Sequence, residues 1–377
     1  MEILSEFKKN GLINVVGIVA FCLSNYLLIT NELKSMNQTT SLSKAYEDVI
    51  PLNPYEPVRP ELDGHLIHVT APLGINEPLT APEYGVSIQS VKLKRRVQMY
   101  QWVEEKRDHY TSAEARETEY YYIQEWRDKL VDSRNFYIRH NHQNPSEKPL
   151  QTYEYVSPVV KVGQFNLGTD LKQKFDNFIE FTSDQRPEGK DVKLHMGIYY
   201  HCYDIWNPKT GDIRVQLYYA GLNGDIVTVI AQQYNGVLIP YPTVEKHEIA
   251  MLRYGELSIS EMFHAEHADI RWKTWEVRIF GWLLMYGCFL CLSNTIYGIL
   301  VNTQIGVLLR NNLLNESILT QKFILSISFT IISASSTWLF VSPHTALAII
   351  IAALTPIFYI TFLLYTQEQL TENRRLL

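Results

Sequence analysis

The sequence predicts a membrane protein: four transmembrane α-helices plus a large β-rich (α+β) extramembrane domain inserted between helix 1 and helix 2. Three observations predict it. Four runs, at residues 11–30, 279–301, 323–341 and 345–365, are apolar and hold no Asp, Glu, Lys or Arg. Each is about the 20 residues a helix needs to cross a ~30 Å hydrocarbon core. One run lies near the start and three near the end, with a polar, tyrosine-rich stretch of roughly 245 residues between them. Within that stretch, apolar and polar residues repeatedly alternate with a period of two, the mark of half-buried strands. Whole-chain averages hide this layout, because 20% charged residues and a slightly negative mean hydropathy resemble a soluble protein.

Basic residues in short loops orient the spans. Lys8 and Lys9 precede the first run, Arg310 and Lys322 lie between the second and third, and Arg374 and Arg375 follow the fourth. The loop Ser342-Pro343-His344 has no Lys or Arg. With four spans, residues 1–10, 302–322 and 366–377 fall on one side, read as cytosolic. The inserted domain, 61–275, is then luminal, or periplasmic in a bacterial host. Arg271, Lys273 and Arg278 flank the second span on that side, but they belong to a long domain, where the charge rule loses force. The first run is expected to stay as an anchor, since no small-x-small cleavage site follows it. Asn14 and Asn25 inside it suggest contacts with other spans. Pro356 should kink the fourth span or free the carbonyl of Ala352.

Residues 31–60 read as a polar, then proline-rich linker (Pro51, Pro54, Pro57, Pro60), expected to form an extended stalk. Strands are expected at 66–71, 91–99, 159–165, 196–203, 213–219, 226–232, 236–239 and 249–254, and 118–126 is a hairpin partner for 91–99. Gly211-Asp212, Asn223-Gly224 and Asn235-Gly236 are turn signals. Leu171, Phe175 and Phe178 recur at i, i+4 and i+7, which predicts a short helix capped by Thr169 or Asp170. Ser258 and Glu261 fit a capping box that opens a juxtamembrane helix over 258–275. Trp272, Trp275 and Trp282 mark the membrane interface. That helix is expected to run on through the second span, 276–301. Similar Gly-strand patterns after Gly64 and Gly211 admit a tandem arrangement of 61–150 and 151–257.

Several stretches carry a family resemblance: Gly64-His-Leu-Ile-His-Val with Ala71-Pro-Leu, residues 91–105 around Met99-Tyr-Gln-Trp-Val-Glu, residues 122–126, Asn144-Pro145, Gly211-Asp-Ile-Arg-Val, Val229-Ile-Ala-Gln-Gln and Lys273-Thr-Trp. Through these and its layout, over nearly its whole length, the chain resembles the transmembrane protein 43 (LUMA) family. The resemblance implies a protein of the endoplasmic reticulum membrane and nuclear inner membrane. It also implies a self-associating scaffold that holds emerin, lamins and other envelope proteins. It implies no catalytic residue.

The chemistry-bearing candidates have bland readings. His264 and His267 share a helix face, but two ligands do not make a metal site, so they read as an exposed polar face. His140 and His142 read as loop, and His65 and His68 fall on opposite faces of a strand. Lys92, Lys94 and Arg96 read as one solvated strand face. Cys202 is the only cysteine of the domain and reads as a buried free thiol. There is no phosphate-binding glycine loop, nucleophile elbow or paired-carboxylate motif, so no enzyme, cofactor or metal is expected, and no nucleic acid. In the third span, Ser326, Thr330, Ser333 and Thr337 form a hydroxyl stripe, with Asn294 of the second span as a candidate to face it. Small hydroxyls let helices pack closely and bond across an interface, so the stripe is expected to pack helices and build a homo-oligomer within the lipid bilayer. The alternative is an ion channel or channel subunit with a hydroxyl-lined path along the third span. Asn37-Gln-Thr39 is a glycosylation candidate on the luminal side, and Asn315 lies in the loop read as cytosolic, where it should stay bare.

Overall fold

The structure, a computed structural model, describes residues 11–110, 116–182, 191–244, 247–301 and 318–356. For 109–110, 116–117, 293–301 and 318–321 only the backbone is described. The chain divides into two compact units, Met1–Lys44 with Phe263–Leu377, and Ala45–Met262.

In chain order, α1 (Gly11–Asp48) opens the described chain, followed by β1 (Ile50–Pro51), β2 (Leu66–Gly74), β3 (Leu79–Ala81), β4 (Val86–Ile88) and the long pair β5 (Ser90–Tyr110) and β6 (Arg116–Arg127). Next come β7 (Tyr153–Val156), β8 (Lys161–Val162), β9 (Phe165–Leu167), the single-turn α2 (Thr169–Gln173), β10 (Ile179–Phe181), β11 (Lys193–His195) and β12 (Ile198–His201). Then β13 (Ile213–Leu222), β14 (Ile226–Tyr234), β15 (Val237–Ile239), β16 (Tyr241–Pro242), β17 (Glu248–Ile249) and β18 (Met251–Tyr254) lead into α3 (Ile259–Val301). After the undescribed 302–317 come α4 (Ile318–Ser336), a 3₁₀ turn (Thr337–Phe340) and α5 (Pro343–Pro356).

Three of these helices, α1, α3 and α4, are long and apolar enough to cross a membrane. The described part of α5 is shorter than a crossing needs, and the rest of the fourth apolar run, 357–365, lies outside the described residues, as do 1–10, 302–317, 366–377 and Asn315. α1 departs from expectation. It does not open into a stalk after Thr30 but stays helical to Asp48. Residues 31–48 contain neither Gly nor Pro, and Leu, Lys, Met, Ala and Glu carry helical propensity through a polar stretch. The remaining segment is no free linker either: Ile50 and Pro51 pair in parallel with Ile67 and His68, and Leu52 and Val58 pack against a core.

The Ala45–Met262 unit holds two large sheets. In the first, β2, β8, β9, β15 and β14 follow one another, and antiparallel β2–β14 pairing (Leu66↔Gln232 to Pro72↔Ile226) closes the ring. Closure removes the exposed edges that an open sheet would leave. Alternate residues point inward (Ile67, Val69, Ala71 and Leu73 of β2; Val227, Val229 and Ala231 of β14) and meet Leu171 and Phe175. The expected strand over 159–165 is broken in two by Gly163, at φ 61°, where the chain turns between β8 and β9. The expected helix at 169–178 is one turn only, with Gly168 and no side-chain cap at its start. The apolar spacing was real, since Leu171 and Phe175 are buried, but Phe175 and Phe178 follow the helix rather than extend it.

The second sheet runs β11-β12-β13-β5-β6, with β10 also on β13 and β7 also on β5. Its core gathers Tyr84, Leu93, Val97, Met99, Tyr199, Val215 and Leu217. β5 pairs with β13 as far as Met99↔Ile213, and with β6 from Met99↔Arg127 to Tyr110↔Arg116. Beyond β13, Asn144 takes over as a strand partner. Its Oδ1 accepts from Trp102 N at 2.8 Å, and its Nδ2 donates to Trp102 O at 2.9 Å and Val131 O at 3.1 Å. The two sheets are interleaved: β14 pairs with β2 and β13 with β5, so segments 61–150 and 151–257 do not form separate halves. Asn223-Gly224 turns the chain from one sheet to the other, whereas Asn235-Gly236 (φ 49° and 73°) makes a two-residue hairpin between Tyr234 and Val237.

The basic strand face is not solvated. Lys92 is buried, with Nζ 3.0 Å from Glu154 Oε1 and 3.2 Å from Gln173 O. Arg96 is bidentate to Asp128, at 2.7 Å twice, which holds the Asp128 carboxyl below its ordinary range. Lys92 and Arg96 are therefore neutralised within the fold, and Lys94 Nζ lies 5.0 Å from the Phe178 ring centroid.

Buried Tyr84 has its phenol 3.0 Å from His201 Nε2. Burial pushes the Tyr84 hydroxyl up to about 12, so it keeps its proton to donate, and burial lowers the His201 pKa, which keeps the ring neutral.

Two predictions follow from these contacts. Asn144→Ala leaves the Trp102 N–H and C=O without that partner, at a cost of about 1–3 kcal/mol, read as a lower thermal unfolding midpoint. An unchanged midpoint would show that water replaces the amide at no cost. Because the folded pKa of His201 lies below its unfolded value, its contribution is intact above about 6.5 and is lost as pH falls below that. Unfolding midpoints measured at pH 7.5 and 5.5 should drop less for His201→Gln than for the unaltered chain.

Candidate functional site, a polar seam between apolar helices

Polar groups among apolar helices are costly unless paired, so their partners locate the working contacts of the membrane unit. α1 and α3 run antiparallel. Gly17 lies under Leu292, and a Cβ at Gly17 would stand 2.7 Å from Leu292 Cγ. Gly281 lies under Leu28, where a Cβ would be 2.8 Å from Leu28 Cγ. Glycine at both crossings lets the backbones approach closely, and Ser24 Oγ donates to Gly281 O at 2.7 Å. Farther along, Asn31 Nδ2 donates to Thr274 O at 3.2 Å, and Thr274 Oγ1 donates to Ser35 Oγ at 3.1 Å.

At the same end lies a buried carboxylate–guanidinium pair. Glu32, 1% exposed, receives Arg278 Nε at 2.6 Å and Nη2 at 2.8 Å, and Trp338 Nε1 donates to its Oε2 at 3.2 Å. Arg278 also covers the Trp275 ring, 4.9 Å from its centroid. Glu32 follows the first apolar run, Arg278 precedes the second and Trp338 sits near the end of the third, so one cluster ties three elements. Sequence reading missed it by assigning Glu32 to a linker. The available signal was an acid just after one apolar run and a base just before the next.

The hydroxyl stripe is buried, and its bonds stay within the chain. Ser326 Oγ donates to Phe323 O at 2.7 Å and accepts from Trp282 Nε1 at 3.1 Å. Thr330 and Thr337 donate to the carbonyls of Ser326 (2.7 Å) and Ala334 (2.9 Å). Ser333 Oγ lies 2.6 Å from Asn25 Oδ1 and 2.8 Å from Phe329 O. The partner found is Asn25 of α1. Asn294 is helical, but its side chain lies outside the described residues.

Of the tryptophans read as interface anchors, Trp272 and Trp275 are exposed, whereas Trp282 turns inward to Ser326 and Phe323. Asn37 is exposed on α1. The capping box is present: Ser258 N donates to Glu261 Oε2 at 2.8 Å and Glu261 N to Ser258 Oγ at 3.3 Å. His142 stacks on Tyr122, and His68 Nε2 is 2.9 Å from Leu257 O. Among the described residues no three His, Cys, Asp or Glu side chains group as metal ligands.

Apolar helices joined by a buried polar seam, carried with a large β-rich unit, define an integral membrane protein. The family model described as Transmembrane protein 43 matches residues 99–343. The Drosophila melanogaster protein named Transmembrane protein 43 homolog is 34% identical, over 96% of this chain and 97% of its own. Homo sapiens Transmembrane protein 43 is 33% identical and its Mus musculus counterpart 34%, each over 91% of this chain and 88% of the relative. The chain belongs to the transmembrane protein 43 family. No solved structure matches it.

Breaking the cluster from one side tests its weight. Glu32→Ala strands Arg278 and should destabilise the helices by about 3–5 kcal/mol, seen as a lower midpoint in detergent. Glu32→Ala with Arg278→Met should recover much of that loss. Equal midpoints for the single variant and the unaltered chain would show the pair to be dispensable.

Proposed function

We propose that this membrane protein is a self-associating scaffold that organises protein complexes at the endoplasmic reticulum and nuclear inner membrane. In this reading it has four spans, with the β-rich unit in the lumen and emerin- and lamin-class envelope proteins as partners. Family membership supports the setting. The proposed topology is supported by the Glu32–Arg278–Trp338 cluster, which joins the three run ends that the charge pattern assigns to the non-cytosolic side.

The observation that carries the scaffold reading is an aromatic patch beside β11, the terminal strand of the second sheet. Met196, Tyr203 and Trp206 are 84%, 90% and 77% exposed. They cluster: His195 meets the Trp206 ring edge-on at 5.2 Å, and Lys193 Nζ lies 5.6 Å from the Tyr203 centroid. Exposed Trp, Tyr and Met together are the composition of a protein interface. Since the hydroxyls of the third apolar run are engaged within the chain, self-association is assigned to this patch.

Two differently tagged copies expressed together should co-purify, and Tyr203→Ser with Trp206→Ser should cut that recovery at least severalfold without lowering the unfolding midpoint. Proximity labelling from the C-terminal tail should mark cytosolic and nucleoplasmic envelope proteins, and from a tag within 111–115 luminal ones. Labelling of one compartment by both tags would sink the topology, and an envelope-free set from the tail would sink the scaffold.

A further inference from the structure

α4 has two faces. One carries the hydroxyl stripe. The other presents Ile324, Ile327, Ser328 and Ile331, at i, i+3, i+4 and i+7, to Ile349, Ala352, Ala353 and Pro356 of α5. Between these faces lies a groove of about 390 Å³, within the ~300–1,000 Å³ range of small-molecule sites. Packed helices seldom leave such a space. The molecules available to fill it between apolar helices are those of the bilayer.

The groove is not uniformly apolar. Ser328 is 2% exposed and lines it, yet its hydroxyl has no hydrogen-bond partner among the described residues. Every hydroxyl of the stripe on the opposite face has one. A hydroxyl without a partner among apolar groups is unfavourable, and a ligand hydroxyl would supply the missing bond. A second polar group is available nearby. Proline has no N–H, so Pro356 cannot donate to the carbonyl four residues earlier, that of Ala352, which lines the same groove. The site thus offers one hydroxyl and one carbonyl that lacks its i+4 donor on an apolar wall. That wall is stiff: isoleucine is restricted at χ1, and Ala and Pro lose little or no side-chain entropy on ordering. A preformed wall suits a rigid body, which loses little freedom on binding.

We propose that this groove binds a sterol, its ring system against the isoleucine and alanine faces and its single hydroxyl between Ser328 Oγ and the Ala352 carbonyl. A flexible diacyl lipid fits less well, because it would have to order many torsions to fill the same space.

The test uses the full-length protein in phosphatidylcholine nanodiscs with a photoactivatable cholesterol analogue. Crosslinks should map to peptides containing residues 324–331 or 349–356 and be competed by unlabelled cholesterol. Ala352→Phe, which fills the groove, should abolish them. Ser328→Ala should weaken competition about fivefold, as expected for one hydrogen bond. Ser328→Ala adds no bulk, so it keeps the test decisive should Ala352→Phe not fold. Crosslinks elsewhere, crosslinks indifferent to both substitutions, or equal labelling by a photoactivatable diacylglycerol would each overturn the sterol site.

Discussion

The membrane unit depends on one constraint: no polar group among its apolar helices can rely on water. Glu32 meets it most sharply. A carboxylate at 1% exposure is tolerable only because a bidentate guanidinium and an indole N–H surround it. The carboxylate and its two partners come from three separate segments of the chain, so satisfying one charge fixes the mutual placement of α1, α3 and the turn after α4. Glycines 17 and 281 act in the same direction, since each admits a leucine where any side chain would collide. Removing a buried partner is costly while replacing the whole pair is often neutral, so the cluster contributes more to specifying the arrangement than to net stability.

The Ala45–Met262 unit solves a related problem for its backbone. β5 is 21 residues long, and its two flanks cannot be covered by one neighbour each. β13 covers one flank as far as Met99, and Asn144 continues the job with an amide that copies a peptide group. β7 covers the opposite flank at Lys92–Arg95, and β6 from Met99 onward. The other sheet removes its edges by closing on itself through β2 and β14. The patch at Met196, Tyr203 and Trp206 lies beside β11, one of the strands on which the second sheet ends.

Much of this was legible from local pattern. Alternation located β2, β5, β13 and β14, the Asn-Gly pair located the β14–β15 hairpin, and the Ser258–Glu261 box located the start of α3, because each is set by neighbours in sequence. Three features were not. Residues 31–48 looked like a linker because polarity was weighed above propensity and the absence of Gly and Pro. Lys92 looked solvated because strand alternation assigns a face but cannot say that Glu154 and Gln173 cover it. The pairing of Glu32 with Arg278 spans 246 positions, and no window of sequence contains both.

The hydroxyl stripe shows how a correct pattern can carry two meanings. Spacing alone placed Ser326, Thr330, Ser333 and Thr337 on one helix face, and the structure keeps them there. What spacing could not say was which surface that face meets. Thr330, Ser333 and Thr337 can bond carbonyls of their own helix, and Ser326 and Ser333 also reach Trp282 and Asn25, so their protons are donated inside the chain. Each of these hydroxyls has spent its one proton inside the chain, so a further group would meet this face as a donor to the remaining lone pairs. Ser328, on the other side, escaped notice because a single serine among isoleucines breaks no pattern. Its significance comes from lying on the face of α4 that borders the groove and having no partner among the described residues where the four stripe hydroxyls each have one.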